Sequence, residues 1–143
     1  MATRRAQIVD AGVVGSYFLS TYSGRKLGMR TTGHAGGSHN LSLASSLTRR
    51  GDDFESMLRK LDTGLLLTEV MGQGVNYVTG DYSRGASGFW VQGGVIQYPV
   101  EEITVAGNLA DMFKGIVAVG EDVIGRGTKQ TGSILIESMA VAG

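Results

Sequence analysis

Phe89-Trp90-Val91-Gln92-Gly93-Gly94-Val95-Ile96-Gln97-Tyr98 is the stretch whose reading decides the fold. Two runs of aromatic and β-branched residues flank a glycine pair, and glycines adopt the left-handed angles that a two-residue hairpin turn demands. Such a turn sets Val91 opposite Ile96 and Phe89 opposite Tyr98 on one face, with Gln92, Val95, Trp90 and Gln97 on the other. One face is then apolar and the other mixed. Pro99 has no N–H to donate, so it ends the ladder or lies on a sheet edge.

The same signals recur on both sides of this hairpin. Residues 65–71, 75–79, 103–106 and 133–137 read as strands. Residues 6–9 and 13–19 flank Asp10-Ala11-Gly12, a three-residue connection with Gly12 suited to its left-handed position. Two helices interrupt the strands. Asp52 is placed to cap the first, with Glu55 at the capping-box spacing and Phe54, Met57, Leu58 and Leu61 at helical intervals before Gly64. Asn108 caps the second, whose stripe is Leu109, Met112, Phe113, Ile116 and Val117, with Gly120 as its stop. The fold class expected is α+β, mainly antiparallel β, with a glycine-rich sheet or barrel-like core and two packed helices.

Composition supports one domain over residues 1–143. At 42% hydrophobic residues the chain is long enough to bury a core. The 23 glycines separate periodic apolar segments, so they read as turns and close backbone approaches, not as disorder. Lys plus Arg and Asp plus Glu both number 13, and this balance argues against a general affinity for nucleic acid or anionic membrane. No cysteine is present, which removes disulfides, thiolate nucleophiles and thiolate metal sites together and fits a cytoplasmic protein. Residues 1–5 are charged but precede only a short apolar stretch, unlike a secretory signal or a transmembrane segment.

The chemistry-bearing candidates are few. His34, His39 and Asn40 lie in the loop Thr32-Gly33-His34-Ala35-Gly36-Gly37-Ser38-His39-Asn40, where they hydrogen-bond backbone or contact a ligand. Asp81 and Arg84 fall in Gly80-Asp81-Tyr82-Ser83-Arg84, read as a tight turn with an Asp81 to Arg84 pair, or as a contact point. Ser83 lacks the Gly-x-Ser-x-Gly context of a hydrolase elbow. Gly72-Gln73-Gly74 lacks the lysine and the following helix of a phosphate loop. Phe89 and Trp90 read as core or interface residues, since no basic residue accompanies them in the hairpin.

Longer runs carry a resemblance. Thr68-Glu69-Val70-Met71-Gly72-Gln73-Gly74-Val75-Asn76, Thr79-Gly80-Asp81-Tyr82-Ser83-Arg84-Gly85-Ala86-Ser87-Gly88-Phe89-Trp90-Val91, Ile96-Gln97-Tyr98-Pro99-Val100 and Ile103-Thr104-Val105-Ala106-Gly107-Asn108-Leu109 follow one another in order, preceded by the histidine loop. Together they resemble the C-terminal domain of the PmbA/TldE family, the modulator of DNA gyrase proteins, over essentially the whole chain. The resemblance implies that residues 1–143 are the C-terminal domain of a longer protein. It also implies a cytoplasmic, non-catalytic subunit that pairs with a zinc-bearing TldD-type partner to process or degrade peptides and unfolded proteins. A structural or oligomerisation domain without substrate contact is the alternative, and a homo-oligomer is compatible with either.

In the zinc subunit of that family a helix upstream of the region present here carries His-Glu-x-x-x-His, and a cysteine near the C-terminus completes the ligand set. His34 and His39 have the same separation here, but Ala35 stands where the glutamate belongs. Gly36 and Gly37 each weaken a helix there by about 1 kcal/mol. Thr131-Gly132 stands where Cys-Gly would supply the third ligand, and a threonine hydroxyl binds zinc poorly. The expectation is no catalytic or metal residue and no cofactor on this chain, with zinc on the partner. His34, His39, Asn40, Asp81 and Arg84 are the candidate peptide or partner contacts.

Overall fold

The structure, a computed structural model, describes residues 4–125 and 127–143. In chain order it runs β1 (Val9–Asp10), β2 (Val13–Val14), α1 (Thr21–Lys26), β3 (Leu41–Ser42), α2 (Phe54–Leu61) and β4 (Gly64–Met71). There follow β5 (Asp81–Gln92), β6 (Val95–Asn108), α3 (Leu109–Lys114), β7 (Ile116–Val119), β8 (Lys129–Gln130), β9 (Ile134–Ile136) and β10 (Ala140–Ala142). These elements fall into two compact units. One takes the residues up to Ser42 together with Gly125–Gln130, the other Leu43–Ile124 with Thr131–Gly143.

In the first unit β1 and β2 form an antiparallel hairpin in which Asp10 pairs with Val13. Its loop is the two residues Ala11 and Gly12, at φ 47° and 81°, not the three residues expected. Two successive positive φ angles suit the right-handed twist of a hairpin, which explains the shorter loop. The chain then enters α1, unannounced by any apolar stripe. Two serines define its start: Ser20 Oγ accepts the N–H of Ser23 at 3.1 Å, and Ser23 Oγ accepts that of Ser20 at 2.8 Å. Buried Leu19 is pinned by threonines, its N–H donating to Thr32 Oγ1 and its carbonyl accepting from Thr31 Oγ1, both at 2.9 Å. β3 and β8 close the unit as a short parallel pair.

The second unit is built on a four-stranded antiparallel sheet ordered β10-β6-β5-β4. Ala86, Ile103 and Val105 form its buried centre, with Leu65, Leu67, Tyr82, Val100 and Met139 packed around them. At Gly88 the strands approach so closely that a Cβ would overlap the carbonyl of Leu66, so only glycine fits. β7 and β9 form a separate antiparallel pair. The sheet is open, with β4 and β10 at its two ends, so the barrel-like core expected from the glycine content is not formed among the described residues.

Three bulges adjust the register of the four-stranded sheet. Val91 faces Ile96 as expected, but Trp90 then pairs with Tyr98 and Phe89 with Pro99, because Gln97 is an extra residue on β6. A slip of one residue exchanges the faces of a strand, and here it sets Tyr98, in place of Gln97, on the side that Trp90 shares with its β4 partner Leu65. Pro99 does not end the ladder; it sits on the stretch of β6 that β10 does not flank. Opposite Ser87, β6 carries both Glu101 and Glu102, and Glu102 takes a left-handed φ of 55°. Thr68 is the third extra residue, on β4.

Both expected helices form, with corrections. Asp53, not Asp52, caps α2, its carboxylate accepting the N–H of Ser56 at 2.8 Å. α3 does start at Asn108, whose side chain accepts the N–H of Ala110 at 3.0 Å. It ends at Lys114, capped by Gly115, and Ile116 and Val117 continue as β7. The stripe was long enough for either structure, and pairing with β9 takes its second half. Phe113 is consequently 68% exposed and α3 buries no residue, so it is not the packed helix expected. Residues 75–79 form a turn instead of a strand, with a single bridge between Val75 and Tyr82 as the ladder pairing.

Candidate functional site

The five candidate residues are divided between the units, His34, His39 and Asn40 in the first and Asp81 and Arg84 in the second. The histidine loop is a turn. Gly37 donates its N–H to the carbonyl of His34 at 3.1 Å, and the half-buried His34 ring meets Phe18 edge-on with centroids 5.8 Å apart. His39 and Asn40 are exposed just ahead of β3. Between the histidines, Ser38 Oγ accepts from Lys129 Nζ at 2.6 Å.

Asp81 and Arg84 lie in β5, not in a turn. Three residues apart on a strand, they point to opposite faces, so the expected ion pair does not form. Asp81 accepts the Thr79 hydroxyl at 2.6 Å, while Arg84 donates to the carbonyls of Met71 at 3.3 Å and Val70 at 3.2 Å. The guanidinium thus braces the end of β4 and the aspartate braces the loop between the two strands.

That loop, residues 72–80, is built by side chains. Asn76 Oδ1 accepts the N–H groups of Val78 at 2.9 Å and Thr79 at 3.2 Å, and Asn108 Nδ2 donates to the carbonyl of Thr79 at 2.9 Å. The β-branched residues in Val75-Asn76-Tyr77-Val78-Thr79 suggested a strand. The overlooked signal was Asn76, which bonds its own backbone two residues on and so forms a turn.

A second polar cluster holds the start of α2. Asp52 is 4% exposed; its Oδ1 takes the Lys60 ammonium at 2.6 Å and its Oδ2 the N–H of Arg49 at 3.0 Å. The hydrogen bond from Lys60 holds the carboxyl below the usual carboxylate range, helped by the Arg49 N–H and opposed by burial. Its carbonyl accepts the N–H of Glu121 at 2.8 Å. Beyond Glu121, Asp122 accepts both the N–H of Ser133, at 2.8 Å, and its hydroxyl, at 2.6 Å. Gly132 lies flush on the carbonyl of Gly120, where a Cβ would overlap it.

These contacts decide what the family's metal would find here. The Thr131 hydroxyl donates to the carbonyl of Gly132 at 3.0 Å, and His34 packs on an aromatic ring. Among the described residues no three His, Cys, Asp or Glu side chains gather as ligands. Thr131, where the resemblance places the cysteine ligand, offers zinc neither thiolate nor imidazole.

Sequence reasoning also missed a cavity of about 410 Å³ in the second unit, lined by Phe54, Met57, Leu65, Trp90, Leu135 and Met139 among others. It opens beside β4, the terminal strand of the sheet. Its walls come from four separate segments, which no local pattern joins. Among the described residues no helix is long and apolar enough to cross a membrane.

Comparison with known proteins places the whole chain in one context. Residues 1–143 match the PmbA/TldA metallopeptidase C-terminal domain. The chain is 55% identical over 141 residues to the metalloprotease PmbA homolog of Haemophilus influenzae and 53% identical to the metalloprotease PmbA of Escherichia coli O157:H7. It spans 99% of its own length in both alignments but only 31% and 30% of those relatives. Among solved structures, a putative modulator of a DNA gyrase from Thermotoga maritima superposes with a TM-score of 0.81 at 34% identity, covering 99% of this chain and 34% of that one. A protein of the same description from Bacteroides thetaiotaomicron gives 0.83 at 31% identity, covering 99% and 31%.

Proposed function

The chain belongs to the PmbA/TldA metallopeptidase C-terminal domain family, and from that premise we propose that it is the C-terminal domain of a subunit without its own zinc in a two-subunit, cytoplasmic peptidase. A TldD-type partner supplies the metal and the hydrolytic step, and this chain helps hold the unfolded peptide. The donor set carries the reading: a Thr131 hydroxyl turned onto the neighbouring carbonyl, a His34 ring packed on Phe18, and no cysteine in 143 residues. A thiolate or imidazole in the third position would have argued for a self-sufficient enzyme.

Substrate holding is supported by β4. It is the terminal strand of an antiparallel sheet, and its first residues, Gly64 to Leu67, line the cavity. An extended peptide added to such an edge forms main-chain hydrogen bonds irrespective of sequence, while every second side chain meets the apolar wall. The full-length protein alone should cleave no unstructured peptide. Its pair with the zinc subunit should do so, and a chelator should abolish the activity. Chelator-sensitive turnover by this protein alone, or turnover by a pair whose partner has lost its zinc ligands, would sink the assignment. Unaltered peptide affinity of the pair after Leu65→Asp would favour a structural or oligomerisation role without substrate contact.

A further inference from the structure

The two units of the chain differ in what they bury. Among the described residues the second unit has buried apolar side chains on its long sheet, on α2 and on β7, with Val105, Met57 and Val119 as examples. The first buries one large apolar side chain, Leu19. Its others face outward: Val9 and Val14, cross-strand partners in the hairpin of β1 and β2, are each 54% exposed, Val13 is 67% exposed and Tyr22 of α1 70%. Hydrogen bonds nonetheless define each piece. Gly15 extends the hairpin by donating to the carbonyl of Ile8 at 2.9 Å, Ser20 and Ser23 open α1, and Leu27 closes it with an N–H shared between the carbonyls of Ser23 and Gly24.

Hydrogen bonds alone do not hold such a unit in water. It comprises fewer than 50 residues, a lone two-stranded hairpin is marginal, and a helix of six residues is far below the length at which helices persist by themselves. Natural units of this size replace a core with disulfides or a metal, and the sequence has no cysteine. We infer that the first unit is covered by the part of the same polypeptide that precedes these residues, packed through an apolar surface on the hairpin and α1. The inference rests on the reading that residues 1–143 are the C-terminal domain of a longer protein. More than two-thirds of each of the two bacterial relatives lies outside the alignment, and the matching family domain is a C-terminal one. Residues 1–42 belong to the first unit, so the preceding polypeptide runs directly into the element that lacks a core. The tether gives it an effective concentration on the order of millimolar, which lowers the entropy cost of contact. A separable subunit or a second copy answers less well. Whenever it came away, the first unit would lose its source of stability.

The test uses the full-length protein, free of its partner and diluted to a monomer. A benzophenone amino acid in place of Tyr22, and separately of Val13, should on illumination join to residues preceding this chain, in a product of monomer mass located by peptide mapping. In the same free protein, Val9→Ser with Val14→Ser should speed amide exchange across the hairpin by about ten-fold or more, since burial of one valine is worth a factor of that order. Capture only of the added zinc subunit, of a second copy or of residues 43–143 would overturn the inference and leave the two-subunit peptidase reading intact. So would no capture at all, or exchange unchanged by the serines, the behaviour of a hairpin that stands in water. A native protein whose mass leaves no polypeptide ahead of Met1 would remove the C-terminal-domain reading and the inference together.

Discussion

Asp52 and Asp53 are adjacent, chemically identical and employed differently. The spacing to Glu55 pointed to Asp52 as the cap of α2, yet Asp53 takes that place and Asp52 turns inward to Lys60 and Arg49. A local pattern registers that an aspartate precedes a helix, not which of two is drawn into a tertiary pair. The pair of buried Asp52 with exposed Lys60 has a pH signature. The Lys60 hydrogen bond lowers the folded Asp52 pKa from its ordinary 3.8, so near that pH the folded chain binds fewer protons than the unfolded one. The resulting stabilisation is complete above the unfolded value and is lost as pH falls through the lower folded value. Urea melts between pH 6 and pH 2.5 should show Asp52→Asn less stable than the parent at pH 6, with the difference shrinking toward the acid end. A constant difference across the range would refute the coupling to Lys60.

At the scale of elements, the hairpin of β5 and β6 shows how one turn fixes a register that bulges then revise. Gly93 and Gly94 set Val91 against Ile96, and from there the ladder departs from the simple alternation at Gln97 and again at Glu101 and Glu102. Glu102 holds φ 55°, a conformation costing a side-chain-bearing residue about 1–2 kcal/mol. Glu102→Gly relieves that strain while adding freedom to the unfolded chain, so the denaturation midpoint should move little. Glu102→Val, β-branched at a positive φ, should lose about 1–2 kcal/mol relative to the parent, and the same loss from both substitutions would show that backbone strain is not what the bulge stores. The helices teach a related lesson. Leu109 to Val117 reads as one amphipathic stripe, but after Lys114 the chain gains more by pairing with β9 than by adding helical turns.

At the scale of the molecule, charge and architecture limit what the chain touches. Equal numbers of acidic and basic side chains leave no field to attract a polyanion. Duplex DNA at physiological salt should therefore bind no tighter than about 10⁻⁴–10⁻⁶ M, the nonspecific range, which fluorescence anisotropy can read; submicromolar binding would count against a peptidase role despite the gyrase in its relatives' description. The second unit carries the long sheet and the cavity, and the first carries the histidine turn.

The sequence alone determined the hairpin at Gly93 and Gly94, the starts of two helices to within a residue, the antiparallel character of the long strands, and the family, because each is written in contiguous residues with local physical meaning. Only the tertiary structure decided that Asp52 pairs with Lys60, that Arg84 braces β4 instead of meeting Asp81, and that Trp90 faces a cavity. It also decided that residues 75–79 fold into a framed loop. Each of those outcomes joins side chains from separate segments, where a one-residue bulge or one long-range hydrogen bond outweighs local propensity.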